Sequence, residues 1–150
     1  MEFELPKDFK ELFELLNANN VRYLLIGGYA VGLHGYVRST NDLDIFVSDD
    51  AENVRNLRQS LIDFGYAESS LAEDIFPDNR SMIEMGVEPM KIQILNFADG
   101  VEFETAYANR IESAVEDIFI STIHKPDLIN NKIASGRLKD LADVERLEKM

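Results

Sequence analysis

The sequence predicts an α+β fold: a mixed β-sheet with helices packed on it and further helices at the C-terminus. Two observations carry this. Short β-branched or aromatic runs alternate with segments whose apolar residues recur at helical spacing. Their order is helix, strand, helix, strand, helix, hairpin, then helices, with no repeat or low-complexity linker between them. One domain over residues 1–150 is expected, with a core over about 21–123 and a helical segment over about 124–150.

The elements follow in order. Pro6 to Asn17 reads as a helix, because Phe9, Leu12, Phe13 and Leu16 share a face and Pro6 suits a first turn. Val21 to Ile26 is a short buried strand. Gly27-Gly28 reads as a turn, and Tyr29 to His34 as a short helix closed by Gly35. Asp42 to Val47 alternates acidic and apolar residues and reads as a strand. Asp49 or Asp50 caps a helix to Phe64, with Val54, Leu57, Leu61 and Ile62 inward and Gly65 as its stop. Residues 66–80 are irregular. Ser81–Met85 and Met90–Asn96 flank Gly86-Val87-Glu88-Pro89 as a hairpin. A short helix over Val101–Asn109, a strand over Ile118–Ile123 and a helix over Asp127–Ser135 follow. A last helix, Leu138–Lys149, carries Leu138, Leu141, Val144 and Leu147 along one stripe. The helices are expected largely on one face of the sheet.

Composition narrows the function. The net charge is −13 and acids outnumber bases in both halves of the chain, which argues against a broad footprint for duplex or other long nucleic acid. A local positive pocket for a phosphate ligand stays open. No apolar run approaches the ~20 residues of a membrane span, and the acidic start lacks the basic region of a signal peptide. A cytoplasmic protein is expected. With no cysteine and two histidines, a metal site would be built mostly of oxygen, which suits Mg²⁺, Mn²⁺ or Ca²⁺.

The most informative stretch runs from Leu25-Ile26-Gly27-Gly28-Tyr29-Ala30 through His34-Gly35 to Arg38-Ser39-Thr40-Asn41-Asp42-Leu43-Asp44-Ile45. Residues two apart in a strand share a face, so Asp42 and Asp44 project side by side while Leu43, Ile45 and Val47 face the core. Two adjacent carboxylates repel unless a cation compensates them, and a divalent ion does so. Phosphoryl and nucleotidyl transfer use such pairs. Gly27 and Gly28 have no Cβ, so their backbone can approach a phosphate closely.

Taken together, Gly27-Gly28, Ala30, His34-Gly35, Arg38, Thr40, Asp42 and Asp44 resemble the signature of the DNA polymerase β-like nucleotidyltransferase superfamily. The nearest likeness is to its small prokaryotic members, related to the toxins of abortive-infection and toxin–antitoxin systems. The segment from Gly86 to Leu95 resembles the strand that carries the family's third acid. Gly100–Glu104 and Asn131–Asp143 resemble its C-terminal segments. The resemblance spans residues ~21–147 by this reading.

It implies a protein that binds a nucleoside triphosphate with Mg²⁺ (or Mn²⁺) and transfers a nucleotidyl group to a hydroxyl acceptor. That acceptor could be a protein, a transfer RNA end or a small molecule. Asp42 and Asp44 match the metal-binding catalytic pair. Gly27 and Gly28 match the phosphate-holding turn, with Arg38 and Thr40 beside it. The third acid falls at Gln93, which is an amide here. An amide oxygen can coordinate a cation but carries no charge and cannot serve as a base. A nucleotide- or partner-binding module that has lost catalysis is therefore the alternative. A calcium-stabilised structural domain is a third reading, which the Gly-Gly pair disfavours.

A turn about Val87-Glu88 would put Glu84 opposite Lys91 and make Glu84 a diagonal neighbour of Gln93. Glu84 is then either a substitute acid or the partner of Lys91, and the ion pair is the commoner outcome. Lys132 either reaches the triphosphate or pairs with Asp140 and Asp143.

Overall fold

The protein, a computed structural model, is described for residues 3–86 and 90–150. Its elements are α1 (Lys7–Ala18), β1 (Tyr23–Ile26), α2 (Gly27–Leu33), β2 (Asp42–Val47), α3 (Ala51–Phe64), β3 (Met82–Met85), β4 (Lys91–Leu95), α4 (Phe103–Ala108), β5 (Ile111–Val115), β6 (Ile118–Thr122), α5 (Lys125–Ser135) and α6 (Leu138–Glu148). The strands form one six-stranded sheet in the order β3-β4-β2-β1-β6-β5. It is mixed: β1–β2, β3–β4 and β5–β6 are antiparallel, whereas β1–β6 and β2–β4 are parallel. The expected α+β class is the observed one.

Strand alternation decides which helices meet which residues. In the β1–β2 register Tyr23 pairs with Val47 and Leu24 with Phe46, so Tyr23 and Phe46 lie on opposite faces. The Phe13 ring of α1 packs against Tyr23 at 5.5 Å, and Phe103 of α4 meets Phe46 edge-on at 5.1 Å. Helices therefore cover both faces, not largely one. The sheet's central strands are hydrophobic enough to need both covers: all four residues of β1 are buried. The principal core sets Phe9, Leu12, Phe13 and Leu16 with Leu25, Ile45, Leu57 and Leu61, each fully buried.

Several expectations change at the level of partners. Gly27-Gly28 is no free turn; the two glycines are the first residues of α2. In α3 the N-cap is Asp50, whose side chain accepts from the Asn53 amide. Its buried face includes Asn53 and Ser60, and Ile62 is only half-buried. Asn53 belongs inside because its side chain pairs with both backbone groups of Arg22 and with the Ser48 carbonyl. Strand β5 had no counterpart in the sequence reading. It is an edge strand whose residues are mostly exposed, so it shows no apolar alternation.

The stripe read on α6 is also revised. Leu138 is 87% exposed and Leu141 45%, while Asp140, Asp143, Val144 and Leu147 are buried. The acids occupy the inner face because three cations await them there. The hairpin register shifts as well: Glu84 lies opposite Gln93, not opposite Lys91. The connection runs from Gly86, at φ +77°, to Met90. Its expected turn residues Val87-Glu88-Pro89 lie outside the described residues.

Candidate active site

The site sits where β1, β2 and β4 run side by side. Ile26 pairs with Asp44, Asp44 with Gln93 and Gln93 with Glu84, giving one row across four strands and one face of the sheet. Asp42, two residues before Asp44, shares that face, as expected. Leu43 and Ile45 point into the core and are fully buried, which holds the strand in a register that a one-residue slip would destroy.

Each of the two carboxylates keeps one unpartnered oxygen. Asp42 Oδ1 and Asp44 Oδ1 are buried and have no hydrogen-bond partner among the described residues. Burial, followed by repulsion from Asp42, pushes the Asp44 carboxyl up to about 6; the Lys132, Arg137 and Lys139 charges oppose that rise.

The glycines make room for this. Gly27 lies at φ +72°, and a Cβ there would overlap Asp44 Oδ2. A Cβ on Gly28 would overlap the Thr40 side chain and crowd Arg38 Nη1 at 3.3 Å. Both glycines are therefore required by close approach, Gly27 to the second carboxylate and Gly28 to the basic loop. His34 has a fastening role. Its Nε2 donates to the Ile123 carbonyl at 2.7 Å, tying the end of α2 to the end of β6.

The facing wall comes from the loop before β2 and from α5 and α6. A cleft of about 360 Å³ is lined by Gly27, Gly28, Arg38, Ser39, Thr40, Asn41, Asp42, Asp44, Gln93, Lys132, Arg137 and Lys139. All the residues expected at the site, Asp42, Asp44, Gln93, Gly27, Gly28, Arg38, Thr40 and Lys132, are brought together there. Ser39, Asn41, Arg137 and Lys139 join them.

The buried face of α6 arranges the cations. Asp143 takes Arg38 with two parallel bonds, from Nε at 2.8 Å and Nη2 at 2.7 Å. Lys132, nearly fully buried, lies between Asp140 Oδ1 at 3.1 Å and Asp143 Oδ2 at 2.9 Å. Arg137 Nε donates to Asp140 Oδ2 at 2.8 Å. Burial raises both aspartates, but hydrogen bonds outweigh it and leave each below its ordinary value. Arg137 and then Lys132 donate to Asp140; Arg38 and then Lys132 donate to Asp143. Of the two roles its sequence context left open, Lys132 forms the pairing with Asp140 and Asp143, and it does so at the wall of the cleft. The signal that could have revealed the inward acids is Asp140-x-x-Asp143, one helical turn apart and just after two bases.

At the third position Gln93 Nε2 donates to Glu84 Oε1 at 2.9 Å, and Lys91 Nζ reaches the same oxygen at 2.8 Å. The Glu84–Lys91 pair expected from the sequence therefore forms. Hydrogen bonds from Lys91 and then Gln93 hold the Glu84 carboxyl below its usual value. Among the described residues no group of three or more His, Cys, Asp and Glu side chains is placed to share a metal. The site offers two carboxylates and one amide. Two orphaned buried oxygens facing a cleft fit a cation with vacant ligand positions.

Residues 3–148 match the family described as nucleotidyltransferase of unknown function (DUF6036). The chain belongs to this nucleotidyltransferase family. No curated protein matches it significantly. The family match covers the α1 helix and the C-terminal α5–α6 pair as well as the sheet, so the acidic pair and the cation wall both lie within the nucleotidyltransferase unit. No helix among the described residues is long and apolar enough to cross a membrane.

Proposed function

We propose that the cleft binds a nucleoside triphosphate together with Mg²⁺ or Mn²⁺, and that the chain transfers the nucleotidyl group to a hydroxyl acceptor. The observation that carries this reading is the pair of buried, unpartnered oxygens on Asp42 and Asp44, facing a wall of Arg38, Lys132, Arg137 and Lys139. Anionic ligand and cation would complete each other's charge between these walls. The arrangement supports placement within the DNA polymerase β-like superfamily, beside the small toxin-related members that the motifs resemble.

Asp42 and Asp44 would hold the cation, with the Gln93 amide oxygen as a neutral neighbour. A bound divalent ion would neutralise the triphosphate and the departing pyrophosphate. The remaining work belongs to the chain's own groups. Arg38, with Nε and Nη2 fixed by Asp143, offers phosphate a guanidinium that is already oriented. Lys132, Arg137 and Lys139 supply positive charge across the cleft. In the transfer, the acceptor oxygen bonds to the α-phosphorus, the bond from that phosphorus to the bridging oxygen breaks, and pyrophosphate leaves with the electron pair. The hydroxyl proton passes to solvent, because Gln93 cannot take it.

Gln93 also favours a second reading, a triphosphate-binding module without turnover. Calorimetry with each of the four ribonucleoside triphosphates, with and without Mg²⁺ or Mn²⁺, tests binding; pyrophosphate release separates the two readings. Metal-dependent binding that Asp42→Asn with Asp44→Asn abolishes is expected. Binding that survives the double substitution would place the ligand elsewhere.

A further inference from the structure

The cleft continues past the carboxylates into a second lobe of about 310 Å³. The two lobes share Gly27, Asp44, Gln93, Lys132 and Arg137, so they meet at the acidic row. Both are largely polar, but they differ in apolar lining. The first lobe is lined by glycines and by polar and charged side chains, with no apolar side chain among its described residues. The second has an apolar wall of Ile26, Leu95, Phe97 and Ala98.

Phe97 is half-buried and is held in place from outside the lobe. The Arg80 guanidinium covers its ring at 4.2 Å, and Arg80 Nη2 is in turn paired with Asp99 Oδ1 at 3.1 Å. Asn131 Nδ2 donates to the Asp99 carbonyl at 2.9 Å, tying this loop to α5. An aromatic ring at the wall of a lobe offers a planar base a surface to stack on.

We propose that the second lobe takes the nucleobase of the triphosphate, stacked on Phe97. The inference rests on the proposed triphosphate reading and deepens it. The α-phosphorus bonds both to the nucleoside and to the pyrophosphate, so it belongs at the junction of the lobes, beside Asp44. The pyrophosphate portion takes the cationic lobe, and a base directed there would meet no apolar side chain. The lobe with the ring and the aliphatic wall matches a planar, weakly polar heterocycle.

The test compares nucleoside triphosphates with inorganic triphosphate, each with Mn²⁺, on wild type, Phe97→Ala and Phe97→Tyr. Wild type should bind at least one nucleoside triphosphate about tenfold more tightly than inorganic triphosphate, the scale of one base–aromatic stack. Phe97→Ala should remove that advantage while leaving inorganic triphosphate binding unchanged, and Phe97→Tyr should retain it. An equal loss for both ligands would make Phe97 merely structural and overturn the assignment. Unchanged nucleotide affinity with impaired use of an acceptor would give the lobe to the acceptor and also overturn it. Failure of every nucleoside triphosphate to bind wild type would bring down the triphosphate reading itself, and this proposal with it.

Discussion

Replacing Gln93 by Asp puts a third carboxylate into the row, and its cost can be worked out from the structure. Gln93 is the parallel partner of Asp44, one strand spacing away. At about 5 Å and an effective dielectric constant of about 20, two carboxylates repel by about 3 kcal/mol. The protein has a cheaper route. Asp44 already titrates at about 6, so at pH 7 it can take up a proton for about 1.4 kcal/mol, which caps the repulsion. The Gln93–Glu84 hydrogen bond is also lost, at about 1 kcal/mol. Without metal the variant should therefore lose between 2 and 3 kcal/mol, or about 5–10 °C in Tm for a chain of this length.

With saturating Mn²⁺ about half of this loss is recovered, because the new charge meets a cation. Mn²⁺ should bind at least tenfold more tightly than to wild type, a difference of about 1.4 kcal/mol, and pyrophosphate release should rise above the wild-type level. Thermal unfolding in EDTA and in Mn²⁺ at pH 7, with a metal titration, measures each quantity. A Tm in EDTA within about 2 °C of wild type, together with unchanged Mn²⁺ affinity, would refute the electrostatic coupling of position 93 to Asp44.

Four further outcomes are expected. Lys132→Met leaves Arg38 with Asp143 and Arg137 with Asp140, so it should cost about 2–3 kcal/mol, short of the ~3–5 kcal/mol for a fully stranded buried charge; urea unfolding reads it, and a loss under about 1 kcal/mol would deny the cluster's burial any energetic weight. The raised Asp44 value means that the neutral carboxyl is favoured in the fold. Its contribution to apo stability is lost as pH rises through about 6, so stability in EDTA should increase from pH 7 to pH 5. Over the same span, Mn²⁺ affinity should fall about tenfold per unit below pH 6 as protons compete for the carboxylate, and a flat affinity profile would contradict this. Finally, Gly27→Ala, at φ +72° and against Asp44 Oδ2, should lose both stability and Mn²⁺ binding. Gly65→Ala, at φ +118° with nothing near its Cβ, should lose stability alone, and a matching metal defect in both would sever the link between Gly27 and the site.

Much of the site is local in sequence and was legible there. Asp42 and Asp44 share a face because a strand alternates every two residues, and Leu43 and Ile45 between them fix which face is buried. Gly27 and Gly28 lie immediately after an apolar strand, and Arg38 and Thr40 immediately before the acidic one, so one chain reversal gathers all six. The mixed sheet with its helices was also readable, since apolar period and turn residues are properties of short segments.

What the sequence by itself determined is therefore the chemistry on each element: an acidic pair, a permissive glycine pair, bases beside them and an amide at the third position. Only the tertiary structure decided who faces whom. The inner face of α6 looked apolar through Leu138 and Leu141, yet Asp140 and Asp143 are inside, because Lys132 and Arg38 arrive from elsewhere in the chain to compensate them. The apolar period counts only the helix's own residues, whereas a buried charge is stabilised by a partner that the helix does not contain. In the hairpin, too, only the pairing of the two strands put Glu84 opposite Gln93. The same holds for β5, which is a strand only because β6 supplies its hydrogen bonds. Likewise Phe97, one aromatic residue in a loop, gains its place only where β1, β4 and α5 close a lobe beside it and Arg80 packs over its ring.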